Sequence, residues 1–80
     1  EMEPILLTLE KGGTFREFEP SLADTFAYVL SGKIEVSLGK RTYYARAGET
    51  IYYQASEKHR IANDNDGPSE LLLVATDSYL

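Results

Sequence analysis

From Lys33 to Leu38 the chain alternates without a break, with Ile34, Val36 and Leu38 on one face and Lys33, Glu35 and Ser37 on the other. A side-chain period of two marks a strand with one face buried. Further runs rich in β-branched and aromatic residues lie at Pro4–Leu9, Thr25–Leu30, Thr42–Ala45, Thr50–Tyr53, His59–Ala62 and Glu70–Ala75. Turn signals separate them at Gly12-Gly13, Ser31-Gly32-Lys33, Gly39-Lys40, Ala47-Gly48 and along Asn63–Pro68. Short strands at such regular spacing predict an all-β sandwich or barrel. One segment carries a competing pattern. Ser21-Leu-Ala-Asp24 has the form of a capping box, and Leu22, Phe26, Val29 and Leu30 repeat at helical spacing. The strand formers Thr25, Phe26, Tyr28 and Val29, feeding through Gly32 into the next strand, outweigh it and leave at most one helical turn around Ser21–Asp24.

Composition narrows the function classes. Eighty residues make a single domain, 1–80, whose own core is marginal. There is no cysteine, which removes disulfides and cysteine-based zinc sites and fits a reducing cytoplasm. No apolar run approaches the roughly 20 residues that span a bilayer, so no membrane partner is expected. Thirteen acidic against eight basic side chains give a net charge of −5, which disfavours direct contact with nucleic acid. The chain starts at Glu1, and we expect it to be part of something longer.

The segment Gly48-Glu-Thr-Ile-Tyr-Tyr-Gln-Ala-Ser-Glu-Lys-His59-Arg-Ile-Ala-Asn63 carries the most specific signal. Its Gly, His and Asn spacing resembles the second motif of the cupin family, G-x5-P-x-G-x2-H-x3-N, with Gln54 in the proline slot and Ser56 in the second glycine slot. Asp24–Gly39 is similar to the first cupin motif. More narrowly, Leu7–Gly13, the Tyr28-Val-Leu-Ser-Gly32 core and the ending Val74–Leu80 resemble the C-terminal cupin domain of helix-turn-helix regulators of the XRE family. The resemblance implies a small double-stranded β-helix, a cupin jelly-roll barrel. His59 and Ile61 would point inward, joined by Tyr43, Ala45, Ile51, Tyr53, Ala27 and Val29. Phe26, Tyr28 and Leu30 would then lie on the opposite face, covered either by the facing sheet of the jelly roll or by a second subunit.

Metal-binding cupins read H-x-H-x3-E-x6-G in the first motif. Counted back from Gly32, those slots hold Glu19, Ser21 and Thr25, so His59 alone is retained. A transition-metal site needs three or four converging donors, and we expect no metal and no cofactor. Without a Lewis acid, and with neither a cysteine nucleophile nor a Ser–His–Asp spacing, an enzyme is not expected. The polar groups of the barrel, His59, Thr25, Tyr43 and Tyr53, instead suggest a pocket for a small organic effector, with Ala27 and Ala45 leaving room; the alternative is that they fill the barrel. The Asn-Asp-Asn-Asp-Gly stretch after Ala62 has calcium-like spacing but runs into a strand, which makes it a turn. The resemblance thus implies a non-catalytic, small-molecule-sensing and homodimerising domain of a bacterial cytoplasmic transcriptional regulator. The alternative is a stand-alone small cupin enzyme, an isomerase or dioxygenase with an atypical metal site.

Overall fold

The computed structural model describes residues 3–18, 24–54 and 58–75. All regular structure among them is strand: β1 (Glu3–Leu9), β2 (Thr14–Phe18), β3 (Asp24–Ser31), β4 (Lys33–Leu38), β5 (Arg41–Arg46), β6 (Thr50–Gln54), β7 (His59–Asn63) and β8 (Ser69–Ala75). They form two four-stranded antiparallel sheets, ordered β1-β8-β3-β6 and β2-β7-β4-β5. The alternation that predicted β4 is realised side chain by side chain, since Ile34 and Val36 are fully buried and Leu38 nearly so. β8 behaves in the same way, with Ser69, Leu71, Leu73 and Ala75 turned into the core. The helical pattern over Leu22–Leu30 loses to strand from Asp24 onward, so Asp24 is no part of the helical turn expected at Ser21–Asp24, whose other residues lie outside the described ones.

β2 is the strand that the pattern did not predict. Its register against β7 runs Phe15↔Ile61 and then Phe18↔His59, so three residues of β2 span two of β7. The extra residue is a bulge, which sets Phe15 and Phe18 three apart and erases the period of two. A second bulge falls at Leu30, where β3 pairs Val29↔Leu71 and Ser31↔Glu70.

Parity places the inward faces. Ala27, Val29, Ile34, Val36, Ile61, Leu71 and Leu73 form the centre of the core, with Ile5, Leu7, Phe15 and Ile51 packed at its margin. On the outer face of the first sheet the rows read Pro4, Val74, Phe26, Tyr52 and Leu6, Leu72, Tyr28, Thr50 across the four strands. Leu6 is 61% exposed, Tyr52 64%, Leu30 44% and Phe26 38%. The facing sheet therefore does not cover Phe26 and Leu30, which corrects one of the two covers weighed for them. That sheet packs on the other side of β3, against Thr25, Ala27 and Val29.

The barrel has two unlike ends. At one, the β1–β2, β3–β4, β5–β6 and β7–β8 connections meet around Asn63. At the other, Leu38 pairs with both His59 and Arg41, and Thr25 pairs with both Tyr53 and Ala75.

Candidate functional site

The two polar residues of the second motif sit on one strand and do different things. His59 and Asn63 begin and end β7, about 13 Å apart at strand rise. Both point inward, as His59, Ile61 and Asn63 are all buried.

At the Asn63 end the side chain is consumed by the fold. Its Nδ2 donates to the carbonyls of Leu9 (2.9 Å), Glu10 (2.9 Å) and Gly67 (2.7 Å). Its Oδ1 accepts from the Asn65 amide (2.9 Å) and the Ser69 hydroxyl (2.6 Å). Ser69 Oγ in turn accepts from the Lys33 amide (3.0 Å) and lies 3.1 Å from the Lys33 carbonyl. The Asn-Asp-Asn-Asp-Gly segment is thus a pinned turn, as its composition implies. Lys11–Asp66 (2.7 Å) and Lys33–Asp64 (3.0 Å) ion pairs flank it.

The His59 end holds the candidate site. Thr25 is fully buried, His59 is 2% exposed and Tyr53 6%. The Tyr53 and His59 rings lie 5.8 Å apart between centroids at an interplanar angle of 59°. Tyr43 departs from expectation. It shares a face with fully buried Val36 across the β4–β5 pair, yet it is 41% exposed. The cause is topological: β5 and β6 are the free edges of their sheets, so their inward residues border an opening rather than a closed interior. That opening is a cleft of about 470 Å³ lined by Leu38, Arg41, Tyr43, Ile51, Tyr52, Tyr53 and Gln54. Of the four predicted site residues, Tyr43 and Tyr53 border the cleft, whereas Thr25 and His59 are not among its lining residues.

Sequence reasoning missed Arg41 and Gln54. Parity could have found Arg41, which stands two residues before Tyr43 on the same strand. Gln54 carried no signal beyond its place in the motif's proline slot.

On the outer side of β6 the Tyr52 hydroxyl donates to the Asp24 carboxylate. This hydrogen bond, then partial desolvation, then the Asp24 charge hold the Tyr52 hydroxyl above its ordinary pKa of 10.0. A pKa raised in the folded state favours the folded protein below pH 10 and loses that contribution as pH rises through the folded value. Near-ultraviolet absorbance titration should show one tyrosine ionising late, and Asp24→Asn should bring it back toward the others. An unchanged titration in the variant would remove the contact.

Of the four slots that hold a metal in metal-binding cupins, two fall on described residues, Thr25 and His59. Glu19 and Ser21 lie outside the described residues, and Thr25 offers a neutral hydroxyl. Among the described residues no three His, Cys, Asp or Glu side chains are grouped to hold an ion. No described helix is long and apolar enough to cross a membrane.

Two antiparallel four-stranded sheets enclosing a core, with a cleft at one end, define a small jelly-roll barrel. The chain belongs to the cupin family: the family's Cupin domain profile matches residues 5–75. No curated protein matches the sequence. Solved structures do match the fold. TT1209 from Thermus thermophilus is similar at 24% identity and TM-score 0.83, over 92% of this chain and 70% of that one. An HTH_3 family transcriptional regulator from Vibrio cholerae is similar at 16% identity and TM-score 0.85, over 96% of this chain but 43% of the regulator. The cupin domain of an XRE family transcriptional regulator from Enterobacter cloacae is similar at 14% identity and TM-score 0.84, over 96% of this chain and 82% of that domain.

Proposed function

We propose that this chain is the effector-sensing and dimerising cupin domain of a bacterial, cytoplasmic helix-turn-helix transcriptional regulator, with DNA contact made by another part of the protein. The observation that carries the reading is the double duty of β6. Ile51, Tyr52 and Tyr53 all line the cleft, and Tyr52 also stands in the row of the exposed outer face with Phe26 and Val74. A small organic molecule in the cleft that displaces β6 also displaces that face. The face is broad and uncharged at its centre, with Leu6, Leu72, Tyr28, Val74 and Phe26 contiguous across β1, β8 and β3, and with Asp24 and Glu70 at its margins. Such a patch on a small domain marks an interface, and a face with no central charge is complementary to its own copy across a two-fold axis. The fold likeness to cupin domains of two transcriptional regulators supports the placement. The donor set at the family's metal slots supports a non-catalytic role.

Light scattering coupled to size exclusion tests the dimer. The wild type is expected to elute as a dimer, and the double variant Leu6→Glu/Phe26→Glu as a folded monomer, because burying unpaired carboxylates in an apolar contact is strongly unfavourable. A wild type that stays monomeric at high micromolar concentration would end the dimer reading.

A further inference from the structure

We propose that the Asp66-Gly67 step of the β7–β8 loop is a site of spontaneous covalent modification, where Asp66 converts to isoaspartate through a cyclic imide and loosens the turn that Asn63 pins. The site is independent of the sensing role proposed above.

The chemistry needs a carboxyl or carboxamide side chain, an unencumbered backbone nitrogen on the next residue, and room for the two to meet. The run Asn63-Asp64-Asn65-Asp66-Gly67 offers four such steps, and the fold treats them differently. The nitrogen after Asn63 donates to the Lys33 carbonyl (3.0 Å), and Asn63 itself is buried with both ends of its carboxamide bonded. The nitrogen after Asp64 donates to Asn63 Oδ1 (2.9 Å). At the third step the Asn65 carboxamide donates to the Pro68 carbonyl (3.3 Å), and the nitrogen that would attack is crowded by the side chain of Asp66. The fourth step has none of these restraints. The Asp66 side chain is 90% exposed, the Gly67 amide donates to no group among the described residues, and no Cβ shields it. Asp66 does pair with Lys11 at 2.7 Å, but Lys11 is exposed as well, and an ion pair so open to water holds weakly.

The conversion balances with water alone. The Gly67 nitrogen bonds to the γ-carbon of Asp66 and gives up its proton, while a carboxyl oxygen leaves as water and closes a five-membered imide. Water then adds to one of the two ring carbonyls. Attack at the γ-carbon restores aspartate. Attack at the α-carbonyl breaks the original bond to nitrogen, so the main chain now runs through the former side chain and is one methylene longer. A free α-carboxylate is left on the loop, the group that protein isoaspartyl methyltransferases esterify.

The lengthened link falls where the turn tolerates it least. Asn63 grips the residues on either side of Asp66 with one carboxamide: Oδ1 accepts from the Asn65 amide (2.9 Å) and Nδ2 donates to the Gly67 carbonyl (2.7 Å). Both bonds cannot survive once the chain between them grows.

The test is ageing of the whole folded chain in neutral buffer at physiological temperature, followed by peptide mapping. A synthetic peptide of residues 60–71 is aged beside it as the unfolded reference. We expect the segment holding Asp66 to split into two species of equal mass at a rate comparable to the reference, with fragmentation placing isoaspartate at 66. An isoaspartyl methyltransferase should label the aged protein and not the fresh one. Asp66→Glu should abolish the conversion, because its ring would be larger. Gly67→Ala should slow it by roughly an order of magnitude, since a Cβ hinders the nitrogen and narrows the backbone conformations that reach the ring. That substitution fits the fold, as the added Cβ would meet only Asn65 Nδ2, at 3.8 Å. Aged wild type should melt below fresh protein, whereas aged Gly67→Ala should not. A folded chain that stays unconverted while the peptide converts, or equal conversion in Gly67→Ala, overturns the site. Isoaspartate at 66 with an unchanged melting temperature overturns its link to the Asn63 clamp.

Discussion

Asn63→Ala is expected to cost about 2–5 kcal/mol of folding stability. The estimate rests on what the truncation leaves behind as well as on the bonds it deletes. Asn63 bridges the β1–β2 turn, the β7–β8 loop and, through Ser69, the start of β4. Glu10 and Asn65 are exposed and can take water in place of the amide. Leu9 is only 7% exposed, so its carbonyl would lose a partner where water is excluded, while the buried Ser69 hydroxyl would be left with the Lys33 carbonyl, 3.1 Å away, as its acceptor. A carbonyl left so costs about 1–3 kcal/mol. For a domain of this size the loss converts to a fall in Tm of roughly 10–30 °C. Urea denaturation of Asn63→Ala, Ser69→Ala and the double variant is the measurement. Because the two side chains share a hydrogen bond, the double variant should lose less than the sum of the singles. Strict additivity, or a loss below about half a kilocalorie per mole for Asn63→Ala, would show that the network is incidental to stability.

Gly32→Ala is expected to be comparably damaging, for a reason that belongs to the backbone. Gly32 has φ +83°, in the left-handed region, where an alanine costs about 1–2 kcal/mol. A Cβ added there would also meet Ser69, lying 2.9 Å from both its Cα and its Cβ and closer still to its Oγ. Ser69 cannot step aside cheaply, since its hydroxyl holds the Lys33 backbone and the Asn63 side chain. Overpacking of this type adds a further ~1–3 kcal/mol. Gly48 supplies the control. It has φ +88° with nothing within 4 Å of an added Cβ, so Gly48→Ala should show the backbone cost alone. Equal losses at the two glycines would refute the close-packing half of the argument.

The strands were legible where a single face is buried. β4 and β8 announce themselves by alternation, and their parity assigns Ile34, Val36, Leu71 and Leu73 to the interior. β2 was not legible, because its bulge turns a period of two into a spacing of three. The outer position of Phe26, Tyr28 and Leu30 followed from parity once the inward face was chosen. The breadth of that face did not, because Leu6, Leu72 and Tyr52 are brought beside them only by the order β1-β8-β3-β6.

The candidate site divides in the same way. Residue types, spacing and alternation along the chain were enough to determine an all-β barrel and a buried histidine at the start of one strand, for these depend on patterns within short stretches of chain. Which strands are edges was decided only by the tertiary structure. That choice turned Tyr43 from an interior residue into the border of a cleft and brought Arg41 and Gln54 to its rim. It also made Asn63 the pin between turns far apart in the chain, as its bond to the Leu9 carbonyl shows. Contacts of this kind are set by how two sheets close on each other, and no local pattern of side chains encodes where that closure stops.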